Sequence, residues 1–360
     1  TDGYPGWGGY SFDVFASTDL VNWTNEGTFL DLSTPQVSWA SGNAWAPCIE
    51  EKKVGADEYK YYFYFSGESG GKKIGVAVAN DPTGPFVDQG EPLISGLPEG
   101  VNGGQQIDPD VFTDPVSGKS YLYWGNGYLA VAELNDDMVS LAPGTTEILT
   151  PEGGTLDTYA YREGVYVFYR GGTYYFMWSV DDTRSTNYHV AYGTSDSPTG
   201  PIEVAEDPIV IQQDPENEIY GTGHNSVVKI PGKDEWYIVY HRINRHYLND
   251  GPGVHREVCI QQLHFNEDGT IRQVTPNRRG IDPVSLTDTS SGDDPPTVMI
   301  ERKKEQAASQ GEVVKRQVYN LSGMYLGNEL SGLDKGIYII RKLYVDGSIQ
   351  NKKMIKLESY

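Results

Sequence analysis

Tyr61-Tyr62-Phe63-Tyr64-Phe65-Ser66 reads as an aromatic-rich strand, and its reading decides the fold because it is not unique. It recurs as Ser120-Tyr121-Leu122-Tyr123-Trp124-Gly125, as Tyr174-Tyr175-Phe176-Met177-Trp178-Ser179 and as Trp236-Tyr237-Ile238-Val239-Tyr240-His241. Aromatic residues favour strands. The copies are about 54–62 residues apart, a spacing close to that of propeller blades.

Other elements repeat around each copy. A tight turn, Asn80-Asp81-Pro82-Thr83-Gly84-Pro85-Phe86, returns as Ser195-Asp196-Ser197-Pro198-Thr199-Gly200-Pro201-Ile202. Proline sets φ in such a turn and glycine permits a positive φ. Ser17-Thr18-Asp19-Leu20-Val21-Asn22-Trp23 and Asn135-Asp136-Asp137-Met138-Val139-Ser140-Leu141 take the same place elsewhere. A further strand precedes each aromatic one: Trp45–Ile49, Ile107–Phe112, Glu163–Phe168 and His224–Val228. Each unit is thus expected to be a four-stranded antiparallel blade, its edges protected by radial repetition. Four units are complete. Tyr10–Ser17 matches only the third strand of a blade, so the chain is expected to begin in the middle of its first one. The fold class is all-β, a five-bladed propeller with an incomplete first blade; four blades with an N-terminal extension is the rival.

The pattern stops after Val274. Residues 1–283 are read as the propeller, 284–317 as a linker and 318–360 as a small β module, too short for a large core. Asn320-Leu321-Ser322 fits a glycosylation triplet that also arises by chance.

Gly 42 and Pro 21 together exceed ordinary usage, as short strands and many turns require. No run of 18 apolar residues occurs. With 28 Lys and Arg against 50 Asp and Glu, the net charge of −22 repels nucleic acid and anionic membranes. A neutral substrate suits this charge, and we expect a monomer with no nucleic-acid partner and no membrane insertion. Cys48 and Cys259 are too few to staple a large domain and form no zinc pattern, so both are read as buried thiols. The chain opens on Thr1 without Met or signal peptide, and its N-terminus is expected to be processed or missing.

First strands of propeller blades line the central axis, so residues at their starts converge. Here these are Trp45, Asp108, Glu163 and His224. Asp108 before Pro109 also suits a turn, and Glu163 a surface charge, when each is taken alone. Two carboxylates across a pocket suit glycoside hydrolysis, one protonated to serve the leaving oxygen and the other ionised.

These segments resemble glycoside hydrolase family 43: Ile107-Asp108-Pro109-Asp110-Val111-Phe112, Arg162-Glu163-Gly164-Val165-Tyr166-Val167-Phe168 with Gly172-Thr173-Tyr174-Tyr175-Phe176, Gly221-Thr222-Gly223-His224-Asn225-Ser226, Trp45-Ala46-Pro47 and Tyr240-His241-Arg242. The resemblance spans residues 1 to about 283 and implies a five-bladed propeller of inverting enzymes acting on α-L-arabinofuranosides and β-D-xylosides. It implies Glu163 as general acid and Asp108 as the residue that orients it and raises its pKa. It places the general base on the first strand of blade one, expected to lie outside this chain; Asp2 and Asp13 do not occupy that position. His224 corresponds to an axial histidine that holds calcium or water, although calcium prefers oxygen ligands. Arg256 corresponds to an arginine that reaches the sugar. Trp45 is a candidate sugar plate or a core residue. Asp182, with Asp181 and Arg184, is read as a polar loop at the pocket rim.

The segment Val318–Tyr360 resembles a C-terminal sorting domain of secreted Bacteroidetes proteins, with a carbohydrate-binding or stalk module as the alternative. The expected activity is removal of terminal pentose from plant cell-wall polysaccharide or arabinogalactan side chains, in a secreted, cell-surface or periplasmic setting. An α-L-arabinofuranosidase leads. A β-xylosidase, an endo-acting xylanase or arabinanase, and a non-catalytic sugar-binding propeller are the alternatives.

Overall fold

The computed structural model describes residues 8–150, 160–248, 255–285, 313–319, 325–327, 336–344 and 349–356. The chain divides into two compact units, Thr1–Met299 and Ile300–Tyr360. In the first, β1 (Ser11–Ser17) and β2 (Trp23–Asp31) form a two-stranded ribbon. Four sheets of four strands follow. They are β3 (Gly42–Lys53), β4 (Tyr59–Glu68), β5 (Lys72–Ala79) and β6 (Val87–Asp88); then β7 (Asp110–Thr113), β8 (Ser120–Trp124), β9 (Ala130–Glu133) and β10 (Glu147–Ile148). Next come β11 (Glu163–Arg170), β12 (Thr173–Val180), β13 (His189–Ser195) and β14 (Glu203–Ile211); last are β15 (Gly223–Lys229), β16 (Trp236–Ile243), β17 (Arg256–Phe265) and β18 (Ile271–Arg272). Within each sheet, strands consecutive in sequence pair antiparallel. The first strands β3, β7, β11 and β15 contact one another in succession, which gives the blades a common axis.

The aromatic motifs are the second strands, and their bulk fills the space between blades. Tyr62 and Tyr64 of β4 pack with Leu122 and Trp124 of β8. Tyr121 and Tyr123 of β8 join Phe176 and Trp178 of β12, while Tyr175 and Met177 join Trp236, Ile238 and Tyr240 of β16. A strand with alternating large side chains can serve two neighbouring interfaces at once, one from each face. Each such side chain, fully buried, contributes ~1.5–3 kcal/mol. The ribbon is packed on both sides as well. Phe12 and Leu30 meet Phe63 and Phe65 of β4, and Leu20 meets Tyr237 and Val284. The Val284 amide donates to the Asp19 carbonyl at 3.0 Å.

The all-β propeller arrangement expected from the repeats is present, with four complete blades where five positions were expected. Both proline turns carry a left-handed glycine, Gly84 at φ +88° and Gly200 at φ +78°. Helix is confined, among the described residues, to short 3-10 turns at Pro215–Asn217 and Arg245–Tyr247. No helix there is long and apolar enough to cross a membrane. Cys48 and Cys259 are free thiols.

In the second unit, β19 (Val313–Tyr319), β20 (Tyr325–Gly327), β21 (Gly336–Tyr344) and β22 (Ile349–Lys356) form an antiparallel sheet in the order β20-β19-β21-β22. β19 begins inside the stretch read from sequence as linker. Most of that linker, Asp2 and the Asn320-Leu321-Ser322 triplet lie outside the described residues.

Candidate active site

Three of the four inner strands open with a break in the ladder, and a left-handed residue lies at or near the start of all four. Register shifts fall around Trp45 in β3, after Glu163 in β11 and after Gly223 in β15. The left-handed residues are Ala46 (φ 40°), Gly164 (φ 65°) and His224 (φ 50°), and in the second blade Asp108 (φ 60°), two residues before β7. An extra residue in one strand bends it and re-aims a side chain, and non-glycine residues adopt this conformation only where the surroundings impose it. At Gly164 a Cβ would lie 3.1 Å from Ser179 Oγ and 3.2 Å from His224 Cγ, so glycine lets two neighbouring blades close on one point.

That point gathers Asp108, Glu163 and His224, whose ligand atoms all lie within 4.8 Å of one another. Both carboxylates are buried, at 4% and 8% exposure. The Asp108 amide donates to Ser66 Oγ at 3.0 Å, while its own Oδ2 is buried without a hydrogen-bond partner. Glu163 is held at both oxygens. The Tyr188 hydroxyl donates to Oε1 at 2.9 Å, and Asn126 Nδ2 donates to Oε2.

Burial lifts both acids above the ordinary carboxylate range. Asp108 is held well above it, by burial first and then by the charge of Glu163. Glu163 is raised by burial and pulled back chiefly by the Tyr188 hydroxyl, then by Arg162 and Asn126. The orphaned Oδ2 makes Asp108 the costlier charge of the two. In the free site the tuning therefore also runs from Glu163 onto Asp108, whereas the sequence reading has it run the other way. A pair this close leaves no room for a water between opposed carboxylates, so it is not the acid and base of an inverting pair. Asp108 beside Glu163 suits an orienting role.

His224 is lowered to about 4, by burial first and then by the Arg256 charge, and is neutral at physiological pH. A neutral imidazole can bind a metal. The donor set around it, however, is one nitrogen and two carboxylates. Calcium takes six to eight oxygens, and an ion bound here would take the acid out of use. These residues do not fit a resident calcium ion.

The remaining expected residues surround this point. Arg256 opens β17, its Nη1 lies 3.4 Å from Thr183 Oγ1, and its charge acts on both Asp108 and His224. Trp45 is half-buried, and Lys72 Nζ lies 3.5 Å from the centre of its ring. Lys72 is itself paired with Glu68, which Asn43 also contacts. Asp182 is engaged by two arginines. Its Oδ2 lies 3.3 Å from Arg162 Nη2, and Arg184 binds both oxygens at 2.7 and 2.8 Å. Arg184 chiefly, with its amide and Arg162, lowers Asp182 to about 2. The structure thus uses Asp182 to anchor the arginine beside the acid.

Sequence reading misses four residues here. Ser66 and Ser179 end the aromatic motifs of two blades, and each accepts the backbone amide of the next blade's site residue: Asp108 at 3.0 Å and His224 at 2.9 Å. Their equivalent place in the repeat is the signal that could have found them. Asn126 lies outside every repeated motif, and Tyr188 opens a third-strand motif whose other copies carry no partner for an acid.

A profile for Glycosyl hydrolases family 43 matches residues 6–271. Among curated proteins, a β-D-galactofuranosidase of Aspergillus niger is 38% identical over 284 residues, covering 77% of this chain and 78% of its own length. An arabinoxylan arabinofuranohydrolase of Paenibacillus polymyxa is 30% identical over 307 residues, covering 76% of this chain; the chain spans only 45% of that relative. A family 43 β-xylosidase/α-arabinofuranosidase from a compost microbial metagenome, solved with xylotriose in a calcium-free form, superposes with a TM-score of 0.59 at 26% identity, covering 74% of this chain and 84% of its own.

Proposed function

The chain belongs to glycosyl hydrolases family 43 and is a glycosidase, and on that premise we propose that it removes terminal α-L-arabinofuranose from plant cell-wall polysaccharide with inversion. The observation that carries the reading is the buried pair of Asp108 and Glu163, one acid held at both oxygens and the other left with a bare Oδ2. A sugar hydroxyl donating to that bare oxygen stabilises the charged form of Asp108. The proton then belongs to Glu163, which passes it to the glycosidic oxygen as the bond to the anomeric carbon breaks. Arg256 holds the sugar, and Trp45 is the aromatic residue we assign to plate it. Water attacks from the opposite side; we assign its general base to no described residue.

The names of the relatives support a furanose substrate. β-D-Galactofuranose has the ring stereochemistry of α-L-arabinofuranose with one added hydroxymethyl carbon. The 38%-identical relative therefore favours a second reading, release of β-D-galactofuranose. A xyloside is the third. Kinetics on 4-nitrophenyl α-L-arabinofuranoside, β-D-galactofuranoside and β-D-xyloside separate the three by kcat/KM. Proton NMR of the first-formed sugar tests the stereochemistry: retention overturns the scheme and makes Asp108 a nucleophile.

We propose further that the ribbon takes the place of a fifth, partial blade. Its contacts with β4 on one side and with Tyr237 and Val284 on the other support that reading. Secretion or display at the cell surface is our proposal for its location, and fractionation of expressing cells tests it.

A further inference from the structure

We infer that Tyr188 is a positioning residue for the acid: its hydroxyl holds Oε1 of Glu163, and that bond strengthens as the carboxyl gives up its proton. This rests on Glu163 being the general acid. Tyr188 lies in the loop before β13 and is fully buried. Its ring stacks on His241 at 5.5 Å and 12°. It also lies over Gly223, where a Cβ would come within 2.2 Å of the ring. The side chain has nowhere else to go.

The His224 amide donates to Ser179 Oγ at 2.9 Å. That bond occupies a lone pair of Ser179, whose hydroxyl also eases negative charge on Tyr188. Tyr188 itself donates to Glu163 Oε1 at 2.9 Å. Oε2 accepts from Asn126 in the same way, so both oxygens of the carboxyl are fixed in place.

The step balances as follows. The proton leaves the Glu163 carboxyl for the glycosidic oxygen. The electron pair of the broken C–O bond goes to that oxygen, and Glu163 becomes a carboxylate. As negative charge grows on the carboxyl, the Tyr188 bond turns from a neutral into a charge-assisted one. An interaction that strengthens toward the transition state raises kcat and leaves binding alone.

The test uses the full chain and its Tyr188→Phe, Ser179→Ala and Glu163→Gln variants. With an alkyl or phenyl glycoside, Tyr188→Phe should lower kcat roughly tenfold with KM unchanged. With a 4-nitrophenyl glycoside the loss should nearly vanish. Ser179→Ala should fall between wild type and Tyr188→Phe, and it carries the test if the phenylalanine variant does not fold. An infrared readout is independent of turnover. The carboxyl C=O band that Glu163→Gln removes should move to higher wavenumber in Tyr188→Phe, because the carboxyl has lost a donor. An unmoved band, or equal losses on both substrates, overturns the inference. If Glu163→Gln itself keeps full rate on the poor leaving group, the acid assignment has failed instead.

Discussion

Glu163→Gln isolates proton donation from every other duty of the site. Glutamine keeps the volume of a side chain that is 8% exposed. Its carbonyl still accepts the Tyr188 hydroxyl at the Oε1 position, where that bond is 2.9 Å. Its amide nitrogen meets Asn126, whose own amide must turn to offer oxygen in place of nitrogen. Nothing is lost in packing, and one buried charge beside Asp108 disappears. The melting temperature should therefore be no lower than that of wild type. Catalysis should suffer by the worth of general acid catalysis, about 10²–10⁴ in rate, which is ~2.7–5.4 kcal/mol of barrier. That loss applies where the leaving alkoxide is a strong base. A 4-nitrophenolate departs with little help, and its rate should fall less than about tenfold. The assay is kcat/KM for the two leaving groups at the pH of maximal wild-type rate. Equal losses on both would refute the assignment, since an acid's contribution has to scale with the basicity of the group it protonates.

Three further outcomes are expected. Gly223→Ala places a methyl group 2.2 Å from the Tyr188 ring, so urea unfolding should show a loss of ~1–3 kcal/mol, with activity falling alongside; a variant of wild-type stability and rate would contradict the packing described. Asp110 is buried at 3% exposure and raised to about 7, by burial first; the folded state binds its proton more tightly than the unfolded chain, so its contribution is largest in acid and is lost as pH rises from about 4 through 7. Asp110→Asn should therefore gain stability relative to wild type between pH 5 and pH 8, by up to about 4 kcal/mol, and a pH-independent difference in unfolding free energy would refute this. Trp45→Ala should raise KM about tenfold or more with a smaller change in kcat if the ring plates the sugar, and initial-rate kinetics would show an unchanged KM if the ring serves only in packing.

The blades were legible because their second strands are aromatic and recur at a steady spacing. Asp108, Glu163 and His224 were legible because the repeat brings the starts of the preceding strands into line. The left-handed breaks at those starts were not, since a bulge changes backbone direction without a distinctive side chain: Ala46 and Asp108 look like ordinary strand or turn residues. The partners of the acid were hidden for another reason. Tyr188 and Asn126 reach Glu163 from separate segments, 25 and 37 residues away, and no period connects them. Asp182 was legible as part of a polar loop at the pocket rim, but its pairing with Arg162, 20 residues away, as well as with Arg184, two away, was not.

The left-handed residue at the head of each inner strand makes the centre of the propeller a set of separate sockets. Two of these sockets, at Asp108 and His224, are held through the backbone amide by a serine of the neighbouring blade, whichever side chain they present. Holding a non-glycine residue there costs ~1–2 kcal/mol, a debt settled locally by the sheet behind it. A substitution at Asp108 or His224 therefore changes the reagent on offer while the amide-to-serine bond that holds the position remains. Such a framework can exchange one sugar for another, or lose its chemistry and keep its grip on the ligand, through single replacements that the fold scarcely registers.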